Sequence, residues 1–226
     1  MILAAFQRLS DITDDMTGPA LSRMEPVSKE YLLSARDQEK ARDAVMGRDL
    51  LKRLGAFLLR CETEQVVLAH DAAGRPYLME AQEPGSGGRR RTLIPPGFCS
   101  LSHSRAFLLA AVSDEAPVGC DTDHLRSRVY PLPALAGFFS EHDLAALSQI
   151  HDPGLQRLAL TRLWTRKEAV FKLIGKTDRQ SLHLLDESSV RDALGIFFLE
   201  QMPDQKEVMT VAVKSDADTS VRWVCV

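Results

Sequence analysis

Trp164, Glu168 and Lys172 follow one another at i, i+4 and i+8 within Trp164-Thr165-Arg166-Lys167-Glu168-Ala169-Val170-Phe171-Lys172-Leu173-Ile174-Gly175-Lys176. On a helix that spacing sets them along one stripe. A carboxylate and an ammonium one turn apart, beside an indole, can hold a metal ion and a phosphate together. The same two charges on a solvated face are an ordinary pair contributing about 0.2–0.5 kcal/mol. Asp121 and Asp123 stand two apart in Val118-Gly119-Cys120-Asp121-Thr122-Asp123, so on a strand both carboxylates leave the same face. Asp is disfavoured in strands, and neighbouring like charges repel unless a cation or solvent lies between them. In the competing reading Asp121 opens a turn and Asp123 caps an element. Glu168 offers a third carboxylate from a helix able to pack across that strand. An oxygen-only set suits magnesium, which keeps waters and takes one or two carboxylates together with substrate phosphates. No His or Cys cluster points to a softer metal. Ser102-His103-Ser104 adds an imidazole flanked by hydroxyls, suited to donating to a phosphate or to an ordinary structural role. A Ser/His hydrolase has no GxSxG nucleophile elbow to support it.

These side chains need elements to hold them. Leu160, Leu163, Val170, Phe171 and Ile174 recur on one helical face, predicting a long helix from about Leu155 to Leu173, with Gly175 as its C-cap. Residues 106–112 and 118–123 read as strands of an antiparallel hairpin turning through 113–117. Upstream, residues 1–9 predict a strand, 10–19 a turn-rich stretch and 21–59 two helices. The second of these carries Ala44, Val45, Leu50, Leu51, Leu54 and Leu58 on one side. Arg36, Lys40, Arg42, Arg48, Lys52 and Arg53 crowd the other, which reads as a solvated face that also meets phosphate in one reading. A strand at 65–70 and a turn through 71–78 follow. Residues 80–97, rich in Pro and Gly, read as a loop joining two halves, with Arg89-Arg90-Arg91 as its tip. Residues 132–150 read as mostly helical, and 196–200, 208–214 and 221–226 as strands. Helices followed by strands thus occur twice, predicting an α+β fold of two similar halves, 1–97 and 98–226.

The chain's 226 residues are 45% hydrophobic and 26% charged, ordinary for a soluble globular protein with an ample core. A net charge of -3 gives no reason to expect nucleic acid as the main partner. Cys61, Cys99, Cys120 and Cys225 form no CxxC or zinc-ligand spacing, which predicts free thiols in a reducing cytoplasm. The N-terminal apolar run is too short for a signal peptide, and no stretch approaches the ~20 apolar residues of a membrane span.

Leu101-Ser102-His103-Ser104, then VGCDTD at 118–123, FFSEHD at 138–143 and WTRKEAVFK at 164–172 resemble, in that order, the motifs of the 4′-phosphopantetheinyl transferases. The resemblance is to the larger, monomeric type that modifies polyketide and peptide synthases. It is clear over about residues 98–176, with weaker echoes in GRPYL at 74–78 and in Gly47-Arg48-Asp49-Leu50-Leu51. It implies two similar α/β halves with coenzyme A in the cleft between them and magnesium on its pyrophosphate. A carrier-protein serine attacks the β-phosphate, and adenosine 3′,5′-bisphosphate leaves. Asp121, Asp123 and Glu168 are then the metal site, and Glu168 or a metal-bound water takes the serine proton. Lys172 meets the pyrophosphate, while Ser102, His103 and a basic residue of the first half, Arg42 or Arg75, bind the rest of coenzyme A. The chain departs from the family pattern where Asp123 replaces a Glu, where Asp143 ends the third motif, and where Asp43 stands at a position in which Arg is common. A homologue that binds coenzyme A or a carrier protein without transfer is the alternative reading, and an unrelated adaptor using the Arg-rich loop is a third.

Overall fold

Phe107–Ser113 is the strand around which both layers of the protein are arranged. Every residue in it is buried, because each face packs against a different layer. Leu108, Ala110 and Val112 share a core with Leu50, Leu51 and Leu54 of a long helix. Phe107, Leu109 and Ala111 share another with Val118, Cys120, Met209 and Val211. A strand covered on both faces reads as a continuous apolar run rather than an alternating one.

A computed structural model of the protein describes residues 1–72, 74–80, 97–125, 130–175, 186, 194–214 and 221–224. The helices are α1 (Asp14–Ser22), α2 (Pro26–Leu33), α3 (Gln38–Leu59), α4 (Glu141–Ser148) and α5 (Pro153–Ile174). The strands are β1 (Ile2–Arg8), β2 (Val66–His70), β3 (Pro76–Glu80), β4 (Gly97–His103), β5 (Phe107–Ser113), β6 (Val118–His124), β7 (Ile196–Gln201), β8 (Glu207–Lys214) and β9 (Val221–Trp223). Six strands form one sheet in the order β2-β3-β4-β5-β1-β9, and three form another in the order β6-β8-β7. All pairings are antiparallel except β1 with β9. The fold is mixed α+β. No helix among the described residues is long and apolar enough to cross a membrane.

Three local expectations change. β5 and β6 are not a hairpin: β5 has both edges filled, by β4 and β1, so the chain leaves that sheet and β6 pairs with β8. The hairpin is β4–β5, where the Ser104 hydroxyl accepts from the amides of Ala106 and Phe107. Residues 14–19, expected within a turn-rich stretch, are helical as part of α1, since Asp14 and Asp15 favour a helix start and Ala20 is buried against the core. The charged side of α3 is not uniformly solvated. Lys52 is buried and its Nζ donates to the Arg23 carbonyl and to Glu25. Buried Asp49 is held between Arg23 at 2.6 Å and Arg53 at 3.1 Å. Two of the three partners, Arg23 and Glu25, lie at the α1–α2 junction far away in sequence, which periodicity does not reveal. The loop at 81–96, with Arg89, Arg90 and Arg91, lies outside the described residues.

Candidate active site

α5 is delimited as its sequence requires. The Asp152 side chain accepts from the Leu155 amide, Pro153 opens the first turn, and Gly175 ends the helix at φ 66°, a conformation that favours glycine. The helix lies on β6 at a point where only glycine fits. A Cβ on Gly119 would sit 2.0 Å from the Ala169 carbonyl oxygen and 2.7 Å from the Leu173 nitrogen. Gly119, Asp121 and Asp123 share one face of β6, so this backbone contact brings α5 directly over the two aspartates.

Lys172 spans that junction. Its Nζ lies 2.8 Å from Asp121 Oδ1, 2.9 Å from Ser102 Oγ and 3.0 Å from the Cys120 carbonyl. The Ser102 hydroxyl donates to Asp121 Oδ1 at 2.7 Å and accepts from Lys172 and from the Thr122 amide. Ser100 does the same for the Cys120 amide. Two serines on alternate positions of β4 therefore satisfy the edge of β6 that β8 leaves open, joining the sheets beside the site. Ser100 was not singled out in the sequence; its signal, a hydroxyl at every second position in front of the His, was there in Ser100-Leu101-Ser102.

A cleft of about 800 Å³ opens beside this junction. Its walls include Arg48 of α3, Arg75 and Tyr77 of the β2–β3 turn and strand, Phe98 and Ser100 of β4, and Glu168, Phe171 and Lys172 of α5. Arg75 is oriented by Asp71 at 2.7 Å and packs on Gly175, where an added Cβ would lie 2.2 Å from its Cδ. A guanidinium there also complements the carboxyl end of the α5 dipole. The cleft is therefore lined from both sides by cations, with one buried carboxylate, Glu168, among them.

The expected residues distribute as follows. Arg75, Glu168 and Lys172 line the cleft, and Asp121 and Ser102 are tied to Lys172 just behind its wall. Asp123 is half-buried on the same face as Asp121, and its Oδ1 accepts from the His124 amide. Arg42 and His103 do not line the cleft; they flank Asp43, whose carboxyl burial pushes up against the pull of the Arg42 guanidinium. Arg48, earlier grouped with a charged face, does line it. The two buried thiols of the described residues are held protonated at neutral pH. Burial pushes Cys120 up to about 11, against the pull of Lys172 and Ser100, and pushes Cys99 up further still.

Among the described residues, the trio whose ligand atoms lie within 4.8 Å of one another is His142, Asp143 and Asp186, not the three expected carboxylates. Asp121 turns instead to the nearest cation, Lys172. In the other trio Asp143 is already balanced. Its Oδ2 accepts from the Ser140 amide and lies 2.5 Å from Lys167 Nζ, while the Ser140 hydroxyl accepts from the Asp143 amide. The FFSEHD motif is thus a capping box on α4, clipped to Lys167 of WTRKEAVFK. Trp164 of that same motif stacks edge-on against Phe138 and packs on Phe139.

Residues 117–222 match the 4′-phosphopantetheinyl transferase superfamily domain. The chain is 33% identical over 131 residues to the 4′-phosphopantetheinyl transferase AcpT of Salmonella typhi, covering 55% of this chain and 67% of that protein. It is 28% identical over 160 residues to the AcpT of Escherichia coli O157:H7, covering 71% and 79% respectively. With the 4′-phosphopantetheinyl transferase psf-1 of Bacillus pumilus it shares 28% identity over 137 residues, 60% of this chain and 51% of that protein. The chain, with its glycine-seated helix carrying Glu168 and Lys172 over two aspartates, belongs to the 4′-phosphopantetheinyl transferase superfamily and is an enzyme of that class.

Proposed function

We propose that the protein transfers the 4′-phosphopantetheine arm of coenzyme A to a serine hydroxyl of an apo-carrier protein, with magnesium as its metal. One observation carries the reading: Lys172 bridges Asp121 and Ser102 at the wall of a cleft that Arg48, Arg75 and Glu168 also line. Phosphoryl transfer asks mainly for charge neutralisation and positioning, with little covalent help from the protein.

The donor chemistry suits magnesium, since Asp121, Asp123 and Glu168 offer oxygens only, from a strand face and the helix seated on it, and Asp121 must leave Lys172 for the three to converge. Magnesium bound there would neutralise the pyrophosphate of coenzyme A. Lys172 exchanges Asp121 for the pyrophosphate, where its charge meets the charge that develops in the transition state. Arg75 meets another phosphate of coenzyme A from the opposite wall, Ser102 holds Lys172 from behind the wall, and Arg42 and His103, beside Asp43 outside the cleft, are the set toward which the adenosine end would extend. The carrier serine oxygen forms a bond to the β-phosphorus as the bond to the bridging oxygen breaks. Glu168 accepts the serine proton, and the departing oxygen carries its charge away on adenosine 3′,5′-bisphosphate.

The division into halves 1–97 and 98–226 with pseudo-two-fold likeness belongs to the same proposal. Its support is that α3 and α5, each of 22 residues, pack on strands on either side of the cleft. The working enzyme is a monomer of the cytoplasm, with carrier domains of polyketide or peptide synthases as its partners. The test is release of adenosine 3′,5′-bisphosphate from coenzyme A in the presence of magnesium and apo-carrier, followed by chromatography. Release that stops with a chelator and returns with magnesium is the expected result. Coenzyme A binding without release favours a non-catalytic homologue, and release that survives chelation overturns the metal's role.

A further inference from the structure

Of the four charged residues of WTRKEAVFK, the transfer chemistry leaves Arg166 and Lys167 unused, and Lys167 is much the more buried of the two. Its side chain is 2% exposed and that of Asp143 is 4%, with Nζ 2.5 Å from Oδ2. The ammonium also lies 5.3 Å from the Phe139 ring centroid. Asp143 is itself immobilised by the capping box with Ser140. Leu135, Phe139, Leu147, Leu160 and Leu163 already hold this layer to α5 by apolar contact. Apolar contact is non-directional, and such a layer would hold α5 without a charge pair. A buried ion pair is not required for stability, since well-packed apolar residues of similar volume often serve as well or better. What it adds here is direction.

We propose that the Asp143–Lys167 pair is a positioning device that sets the rotation of α5 about its axis, and thereby the place of the Glu168 carboxylate. Lys167 and Glu168 are consecutive, so their side chains leave the helix roughly 100° apart. Fixing one azimuth fixes the other. Around the rest of the helix, Thr165 meets Thr210 at 2.8 Å, Arg166 meets Glu200 at 2.7 Å, and Lys172 meets Asp121. In the functional reading Lys172 leaves Asp121 for the pyrophosphate, which removes one of these tethers during turnover and leaves Asp143–Lys167 in place. A carboxylate about 6 Å from the axis moves about 1 Å for a rotation of about 10°, given a Cα radius near 2.3 Å. A misplacement of that size can cost about 100-fold in rate.

The test is the double variant Asp143→Asn/Lys167→Met, which removes both charges while Asn keeps the cap. We expect a melting temperature close to that of the original protein, and a crystal structure in which the Glu168 carboxylate has moved by about 1 Å or more. Turnover at saturating coenzyme A and carrier falls about 10- to 100-fold, with both Michaelis constants little changed. Lys167→Arg, which keeps a charge pair, retains most of the turnover. A double variant that leaves Glu168 unmoved, or that turns over normally, overturns the proposal. So does one that fails to fold while Lys167→Arg folds and works, since the pair would then be needed only for stability. The turnover arm rests on the transfer reading. If the original protein transfers nothing, that reading falls, and the position of Glu168 in the double variant still decides this one.

Discussion

Gly119→Ala adds a single methyl group at the point on which the whole site depends. The new Cβ would lie 2.0 Å from the Ala169 carbonyl oxygen and 2.7 Å from the Leu173 nitrogen. It would press on the helical hydrogen bond between those two groups. An ordinary contact between carbon and oxygen needs about 3.3 Å, so α5 must withdraw from β6 by about 1 Å or tilt. Backbone cannot rotate away as a flexible side chain would. Overpacking therefore falls at the upper end of its usual range, about 3 kcal/mol. For a chain of this size that lowers the melting temperature by about 6–12 °C. The same withdrawal stretches the 2.8 Å contact of Lys172 with Asp121 and carries Glu168 with it, so transfer falls by about 100-fold. Differential scanning calorimetry and a transfer assay run below the new melting point separate the two effects. A variant that melts and transfers like the original protein would show that α5 is not seated on Gly119, and the geometry derived for the site would fail.

Other outcomes follow from the same contacts. Asp121→Ala removes the partner of Lys172 and a proposed metal ligand, so it lowers transfer far more than Asp123→Ala; equal loss in a magnesium titration would make Asp123 a direct ligand. Glu168→Gln abolishes transfer with a change in melting of at most a few degrees, and a collapsed melt would make Glu168 structural. Asp186 accepts from His142 and raises its pKa above the ordinary value of about 6.5. The stabilisation this gives is complete below that value and fades as pH rises through the folded-state pKa. An NMR titration of His142 should show the raised midpoint, and Asp186→Asn should return it towards 6.5; a midpoint unmoved by that change would refute the pairing.

The part of the site carried by local pattern was legible in the sequence. The α5 periodicity, its glycine cap and the two-residue spacing of Asp121 and Asp123 each follow from one element's own geometry. What could not be read was partnership across the chain. Nothing local tells that β5 has both edges filled, so its pairing with β6 looked as natural as any hairpin. Lys52 reads as part of a solvated face because Glu25, which balances it, lies outside its own helix, and the same holds for Arg23, which pairs with buried Asp49. Asp143 reads in the sequence only as the end of the FFSEHD motif, and nothing local names Lys167 as its partner. Nothing in the strand pattern explains Gly119, and only the packed helix gives the reason for it.

The central claim is a transfer, and it is read most directly by weighing the acceptor. An apo-carrier protein is incubated with the enzyme, coenzyme A and magnesium, and its intact mass is measured. The account predicts a gain of one phosphopantetheine on the carrier serine, absent when Glu168→Gln replaces the original enzyme. A carrier mass unchanged across polyketide, peptide and fatty-acid synthase carriers would contradict it.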